Sequence, residues 1–216
     1  MQTVVDYVGN ACYGALGLVA LWGAFTAILV WRRLKLIRFR SEPDQNEFLA
    51  QVDEALARGD FDQAAQLCEG DERAVAQLVG LGIANRDLGY AKIRALLVDR
   101  FQRDVLADLE HRMSWLNTMI KSAPMLGLYG TVLGMMGGFG QLASGEKIDP
   151  GQLAGNISLA LVTTAIGLTI AIPLILAASN INTRIRRFED LVGYGLTRFL
   201  ESFKMAIGET AGAGRP

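Results

Sequence analysis

Ala123-Pro124-Met125-Leu126-Gly127-Leu128-Tyr129-Gly130-Thr131-Val132-Leu133-Gly134-Met135-Met136-Gly137-Gly138-Phe139 lies inside a stretch that carries no charge from Ser122 to Gly145. At about 1.5 Å per residue that stretch is long enough to cross the hydrocarbon core of a bilayer as a helix. Gly127, Gly130, Gly134 and Gly138 recur every three or four residues, so one face is nearly bare backbone with a single hydroxyl, Thr131, set into it. Taken alone, such a face is either a close-packing surface between membrane helices or a polar spot at membrane depth.

A second uncharged segment, Gly151 to Thr183, has the same character. Ala160, Thr164, Gly167 and Ala171 form a small-residue face at helical spacing, again with a hydroxyl near its middle. With a polar connection over residues 145–150, Thr131 lies 13 residues before it and Thr164 a matching 13 after its end. Both hydroxyls are therefore expected at one depth, about 20 Å below the same surface.

The paired segments resemble the second and third membrane helices of the ExbB/TolQ/MotA family, ion-conducting subunits of motors driven by a proton or sodium gradient. Ala123 to Phe139 is similar to the family's second-helix signature, and Ile157 to Pro173 followed by Asn180 to its third. The length of 216 residues favours the shorter ExbB/TolQ branch.

The rest of the chain is read from its own composition. It is 51% hydrophobic yet 20% charged, with a mean hydropathy of +0.26, so apolar and charged residues are segregated into different stretches. Tyr7 to Trp31 is a third uncharged stretch, with Tyr13, Trp22 and Trp31 as interfacial residues. A cleaved signal peptide would want a basic start, and nothing before Arg32 is basic. Of 21 Lys and Arg, 13 lie between Arg32 and Arg112 and six from Arg184 onward, which puts those segments in the cytoplasm.

The expected architecture is an all-α integral membrane protein, with three transmembrane helices and long cytoplasmic helical extensions. Residues 1–10 form a periplasmic N-terminus and 11–31 the first span. A cytoplasmic helical domain follows over 32–115, then the second span over 116–144. A periplasmic loop occupies 145–150, the third span 151–180, a cytoplasmic C-terminal helix 181–207 and a disordered tail 208–216. Within the cytoplasmic part, Phe48, Leu49, Val52, Ala55 and Leu56 mark an amphipathic helix broken at Gly59-Asp60 and restarted from Phe61. A longer helix from Tyr90 turns Ile93, Leu96, Leu97, Phe101, Val105 and Leu109 to one side and runs into the second span. Pro124 and Pro173 are expected to kink rather than break their helices.

Cys12, expected at the outer edge of the first span, and Cys68, in the cytoplasm, cannot pair within one chain. No metal site, cofactor, nucleic-acid signal or enzymatic motif follows from the sequence, and His111 sits in a charged helix as a solvated residue. The three spans hold no Asp, Glu, Lys, Arg or His, although proton transfer at membrane depth ordinarily needs an ionisable group.

The resemblance implies where such a group comes from. It implies a ring-forming homo-oligomer, a pentamer, in a bacterial inner membrane, around a dimeric ExbD/TolR-like partner whose single span carries an Asp. A TonB/TolA-like protein is a further implied partner in energising an envelope process such as import. Thr131 and Thr164 match the family's polar pore positions, with Thr163 and Ser158 beside them in the ion pathway. Gly127, Gly130, Gly134, Gly138, Ala160, Gly167, Ala171 and Pro173 make the helix-packing or pore face. Where the family typically has Glu early in its third helix this chain has Leu159, and Thr163 adds a hydroxyl, so a sodium-driven motor is the alternative to a proton-driven one. A non-conducting membrane scaffold and a small secondary transporter are the other readings, the latter disfavoured by the lack of an internal repeat.

Overall fold

The computed structural model describes residues 2–143 and 150–213, and within them every regular element is helical. The expected periplasmic loop lies outside the described residues except for Pro150. In chain order the elements are α1 (Gln2–Ile37), α2 (Glu42–Ala57), α3 (Phe61–Cys68), α4 (Ala74–Ala84) and a 3₁₀ turn (Arg86–Leu88). After them come α5 (Tyr90–Arg100), a π-helical segment (Phe101–Leu106), α6 (Ala107–Ala143) and α7 (Pro150–Ala213). Among the described residues two helices, α1 and α7, are apolar and long enough to cross a bilayer, with best windows of mean hydropathy 1.9 and 2.4.

Local chemistry explains the boundaries. Ser41 caps α2 by accepting from the Asp44 N–H, and Pro43 fits the first turn, where its missing N–H costs nothing. Gly59, at φ +73°, takes the left-handed turn that ends α2, and Asp60 then caps α3 by accepting from the Gln63 N–H at 2.9 Å. Pro150 opens α7 for the same reason that Pro43 suits α2. Pro124 and Pro173 lie inside α6 and α7 without ending either. α7 continues to Ala213, and residues 214–216 of the expected tail lie outside the described residues.

The chain divides into two compact units, the first combining the stretch up to Leu29 with Arg112–Ile181, the second combining Val30–His111 with the stretch from Asn182. In the second unit, α7 buries Ile185, Phe188, Val192, Leu196, Phe199 and Phe203 along one stripe. Phe188 meets Phe101 with ring centroids 6.1 Å apart, and Phe203 meets Phe61 edge-on at 6.4 Å. Ile93, Leu97 and Phe101 are buried at steps of four residues, continuing at Leu109 and Met113. An α-helix turns 3.6 residues per round, so a four-residue stripe drifts about 40° per step. The π segment, with its wider turn, takes up that drift and keeps one face toward the core.

Several polar groups in this unit are tied to the backbone or to each other. Gln45, buried, donates from Nε2 to the Leu191 carbonyl at 2.7 Å, in the space left by Gly195. Arg198 pairs with Asp53 at 2.8 Å and Arg73 with Asp71, while the Arg73 guanidinium stacks 3.9 Å over Phe39. Burial works against ionisation of Asp71, but the hydrogen bonds and charge of Arg73 outweigh it and hold the carboxyl below its ordinary range. Burial, aided by the charge of Asp71, pushes the Cys68 thiol up to about 11.

Candidate functional site

In the first unit the two small-residue faces close on each other. A Cβ added to Gly127 would stand 2.8 Å from the Thr163 carbonyl oxygen, and one on Gly167 2.6 Å from that of Ala123. One on Gly134 would stand 2.7 Å from the Ala160 methyl, and one on Gly138 3.3 Å from Leu153 Cδ1. The glycines of α6 therefore let α7 of the same chain approach to backbone contact. Ala123, Ala160 and Ala171 are buried on this contact side, whereas Pro173 is exposed on the opposite side of α7. The packing face thus includes the glycines and alanines named from the sequence but not Pro173, two residues past Ala171 and about 200° round the helix.

At the centre of the contact the hydroxyls meet. Thr131 Oγ1 lies 2.5 Å from Thr164 Oγ1, a hydrogen bond in which either oxygen can donate. Thr131 also lies within donating distance of the Gly127 carbonyl, 3.2 Å, and the Ala160 carbonyl, 3.1 Å. Thr163 reaches the same two carbonyls at 3.1 and 2.7 Å, and Thr164 reaches Gly127 O at 3.0 Å. Thr131 and Thr163 are buried and Thr164 is half-buried. Ser158 is exposed and stays outside the group; six residues before Thr164, it sits about 240° away on the helix.

Proton counting defines what the cluster can do. Three hydroxyls carry three protons, and each can donate once. Thr131 can give its proton to Thr164 while Thr164 donates to Gly127 O. Alternatively Thr164 gives to Thr131, which then donates to Ala160 O. The two patterns differ only by hydroxyl rotation, so the group is a neutral, all-oxygen patch whose polarity can reverse. It holds no titratable side chain, and cannot itself take up a proton.

One neighbour escaped the sequence reading. Cys12, expected at the outer edge of the first span, is buried beside the cluster: its thiol donates to the Leu126 carbonyl at 3.2 Å, and a Cβ on Gly130 would lie 3.2 Å from its sulfur. α1 starts at Gln2, so Cys12 is ten residues, about 15 Å, into the helix. The signal was present in the buried stripe of Cys12, Leu16, Gly23 and Thr26, spaced at three, four or seven residues. Gly23 in turn admits Leu174 of α7, whose Cδ1 would be 2.6 Å from an added Cβ. Thr26 is buried and bonds back to the Gly23 carbonyl of its own helix at 2.9 Å.

Comparison with known proteins matches residues 75–192, more than half of the chain, to the MotA/TolQ/ExbB proton channel family. The chain is 29% identical over 171 residues to a biopolymer transport protein ExbB homolog of Methanothermobacter thermautotrophicus, covering 78% of this chain and 59% of that protein. It is 34% identical over 94 residues to the Tol-Pal system protein TolQ of Haemophilus influenzae, covering 44% of this chain and 41% of that one. It is 28% identical over 172 residues to the biopolymer transport protein ExbB of Xanthomonas campestris pv. campestris, covering 74% and 65%. The chain thus spans about two fifths to two thirds of the length of these relatives. The family match covers the π segment, both small-residue faces and the hydroxyl cluster between them, and the chain belongs to the MotA/TolQ/ExbB proton channel family, on its ExbB/TolQ-like branch.

Proposed function

We propose that the chain is the ion-conducting ring subunit of a proton-driven inner-membrane motor, a pentamer surrounding the spans of a dimeric ExbD/TolR-like partner that supplies a carboxylate. Three spans place the N-terminus in the periplasm and the C-terminus, with the second unit, in the cytoplasm. The observation that carries this reading is the Thr131–Thr164 contact at 2.5 Å within uncharged segments: a polar patch at membrane depth with no acid of its own.

The mechanism follows from the hydroxyls. A partner Asp arriving at the half-buried Thr164 takes a hydrogen bond from it, while Thr164 turns from Gly127 O and accepts from Thr131. The charged form of the acid is stabilised by about 1.5–3 kcal/mol when such a bond forms. Protonation removes that preference, and the partner is released toward the next copy of the chain. Successive copies offer the same patch, which biases rotation, and the partner's periplasmic part delivers force to an envelope process such as TonB-dependent import.

Thr163 supports a second reading. Gly127 O, Ala160 O, Thr131 Oγ1 and Thr163 Oγ1 form a four-sided arrangement with edges of 2.7 to 3.2 Å. Carbonyls and hydroxyls in such a ring are hard ligands able to replace water around a small cation, so a sodium-driven motor of the same family is the alternative.

The test is ion flux in proteoliposomes. The chain alone is expected to pass no protons above the lipid background, and co-reconstitution with its single-span partner to open a flux that replacing the partner's Asp with Asn closes. Equal proton flux from the chain alone overturns the reading, and flux that follows sodium at fixed pH selects the alternative.

A further inference from the structure

In the first unit Tyr129 is 52% exposed on α6, two residues past Gly127 and so about 200° round the helix from the contact with α7. Met125, Val132 and Met136 are exposed on the same side. Membrane tyrosines prefer the interface, where the hydroxyl meets water. Tyr129 instead lies 15 residues, about 22 Å, before the 145–150 connection. Among the described residues its hydroxyl has no hydrogen-bond partner. A donor left in hydrocarbon without an acceptor is costly, so another chain has to supply one.

α7 carries the complementary defect. Pro173 has no N–H, so the Thr169 carbonyl lacks the donor that the helix would otherwise give it. Thr169 and Pro173 are both exposed, and Thr169, two residues past Gly167, is again about 200° round from the contact with α6. Val162 and Leu176 are exposed seven residues to either side of it. The Thr169 hydroxyl turns back to the Ala165 carbonyl at 2.8 Å and does not serve the freed oxygen. Counted from the same connection, Thr169 lies 18 residues in against 15 for Tyr129, a difference of about 4.5 Å. The phenol leans toward the N-terminus of α6, which is the direction of that difference.

Within one chain the two groups cannot meet, because each faces away from the other helix. We infer that these outer sides of α6 and α7 form the contact between neighbouring copies, the Tyr129 hydroxyl of one donating to the Thr169 carbonyl of the next. A closed ring needs two different patches that complement each other. α6 and α7 lie side by side, and α1 covers a third side of the pair through Cys12 on Leu126 and Gly23 on Leu174. Repeating the pair about an axis therefore sets the outer side of α7 in one copy against the outer side of α6 in the next. The hydrogen bond then fixes the height at which two copies register, and satisfies an exposed donor and an exposed acceptor together. The inference rests on the ring proposed above, and adds the residues through which its copies join.

The test follows dissociation of the purified full chain on dilution in neutral detergent, read by mass photometry. Tyr129→Phe should come apart at about threefold higher protein concentration than wild type. Pro173→Ala, which returns an N–H to the Thr169 carbonyl, should do the same, and Tyr129→Phe should add little further loss in the Pro173→Ala background. A second measurement uses a background without Cys12 and Cys68. There Tyr129→Cys and Thr169→Cys in one chain should give a ladder of multimers with a short bis-thiol reagent, and either cysteine alone should give no dimer. Wild-type dissociation of Tyr129→Phe, fully additive losses in the double variant, or dimers from Tyr129→Cys alone overturn the contact. Those results from a wild type that still forms a ring defeat this inference alone, whereas a wild type that is monomeric at every concentration defeats the ring as well.

Discussion

The methyl of Ala160 stands where a side chain at Gly134 would have to go: a Cβ built on Gly134 would lie 2.7 Å from it. Because both residues belong to one chain, this contact sets how α6 and α7 pack inside the protomer, before any ring is assembled. Gly134→Ala should therefore lower the thermal midpoint of the purified protein by an amount matching about 1–3 kcal/mol of overpacking, and Gly134→Leu by more. Ala160→Gly should restore much of the loss in Gly134→Ala. Gly155→Ala, with nothing within 4 Å of the added methyl, should be neutral or slightly stabilising. Restoration absent in the double variant would mean that the two sites do not share one contact.

Cys68 provides a second, chemical test. Its thiol, pushed up to about 11 by burial and by the neighbouring Asp71, should stay neutral and resist N-ethylmaleimide at pH 8 in the folded protein, yet react at once in SDS. Asp71→Asn removes the repelling charge, so the pH at which Cys68 becomes reactive should fall. An unchanged reactivity profile in Asp71→Asn would show that the carboxylate does not influence the thiol.

Asp71 also gives a pH dependence with a defined sign. Its folded carboxyl titrates below its ordinary range, so the stabilisation is present at pH values above about 3.9 and is lost as pH falls through the folded value. Acid unfolding followed by circular dichroism should begin at higher pH in Arg73→Gln than in wild type. Coincident acid transitions would remove the Arg73–Asp71 pair from the account of stability.

Topology is tested by labelling. In a background without Cys12 and Cys68, a Ser144→Cys variant should react with an impermeant thiol reagent applied from the periplasm, and Glu47→Cys, exposed in α2, should not. Labelling of both, or of Glu47→Cys alone, contradicts the orientation.

Much of this could be read from the residues, for identifiable reasons. The break at Gly59-Asp60 shows in sequence because a left-handed glycine and a capping Asp are local chemistry, and the stripe from Ile185 to Phe203 because periodicity belongs to a single helix. That Thr131 and Thr164 come opposite each other needed only a count from one turn. What could not be read depends on several helices at once. Periodicity identifies a small-residue face but not its partner, so nothing along α6 says that its glycines meet α7 of the same chain rather than a neighbouring copy. The depth of Cys12 was taken from the edge of the uncharged stretch, whereas α1 extends past Asp6 to Gln2. The π segment fits the four-residue steps from Ile93 to Phe101 and on to Leu109, a drift that its wider turn absorbs.

The account stands most directly on Thr131→Val and Thr164→Val, assayed for motor output and assembly together. Gly127 O and Ala160 O keep their helical N–H donors when the hydroxyls are removed, so folding and ring size by mass photometry should be unchanged. Thr169→Val, which loses only a bond to the Ala165 carbonyl on an exposed face, is the control and should be mild. The account predicts that the envelope process powered by the complex falls at least tenfold in each of the two cluster variants, with assembly intact. Wild-type output from both variants would contradict it, leaving the hydroxyls as packing groups and the ion path elsewhere.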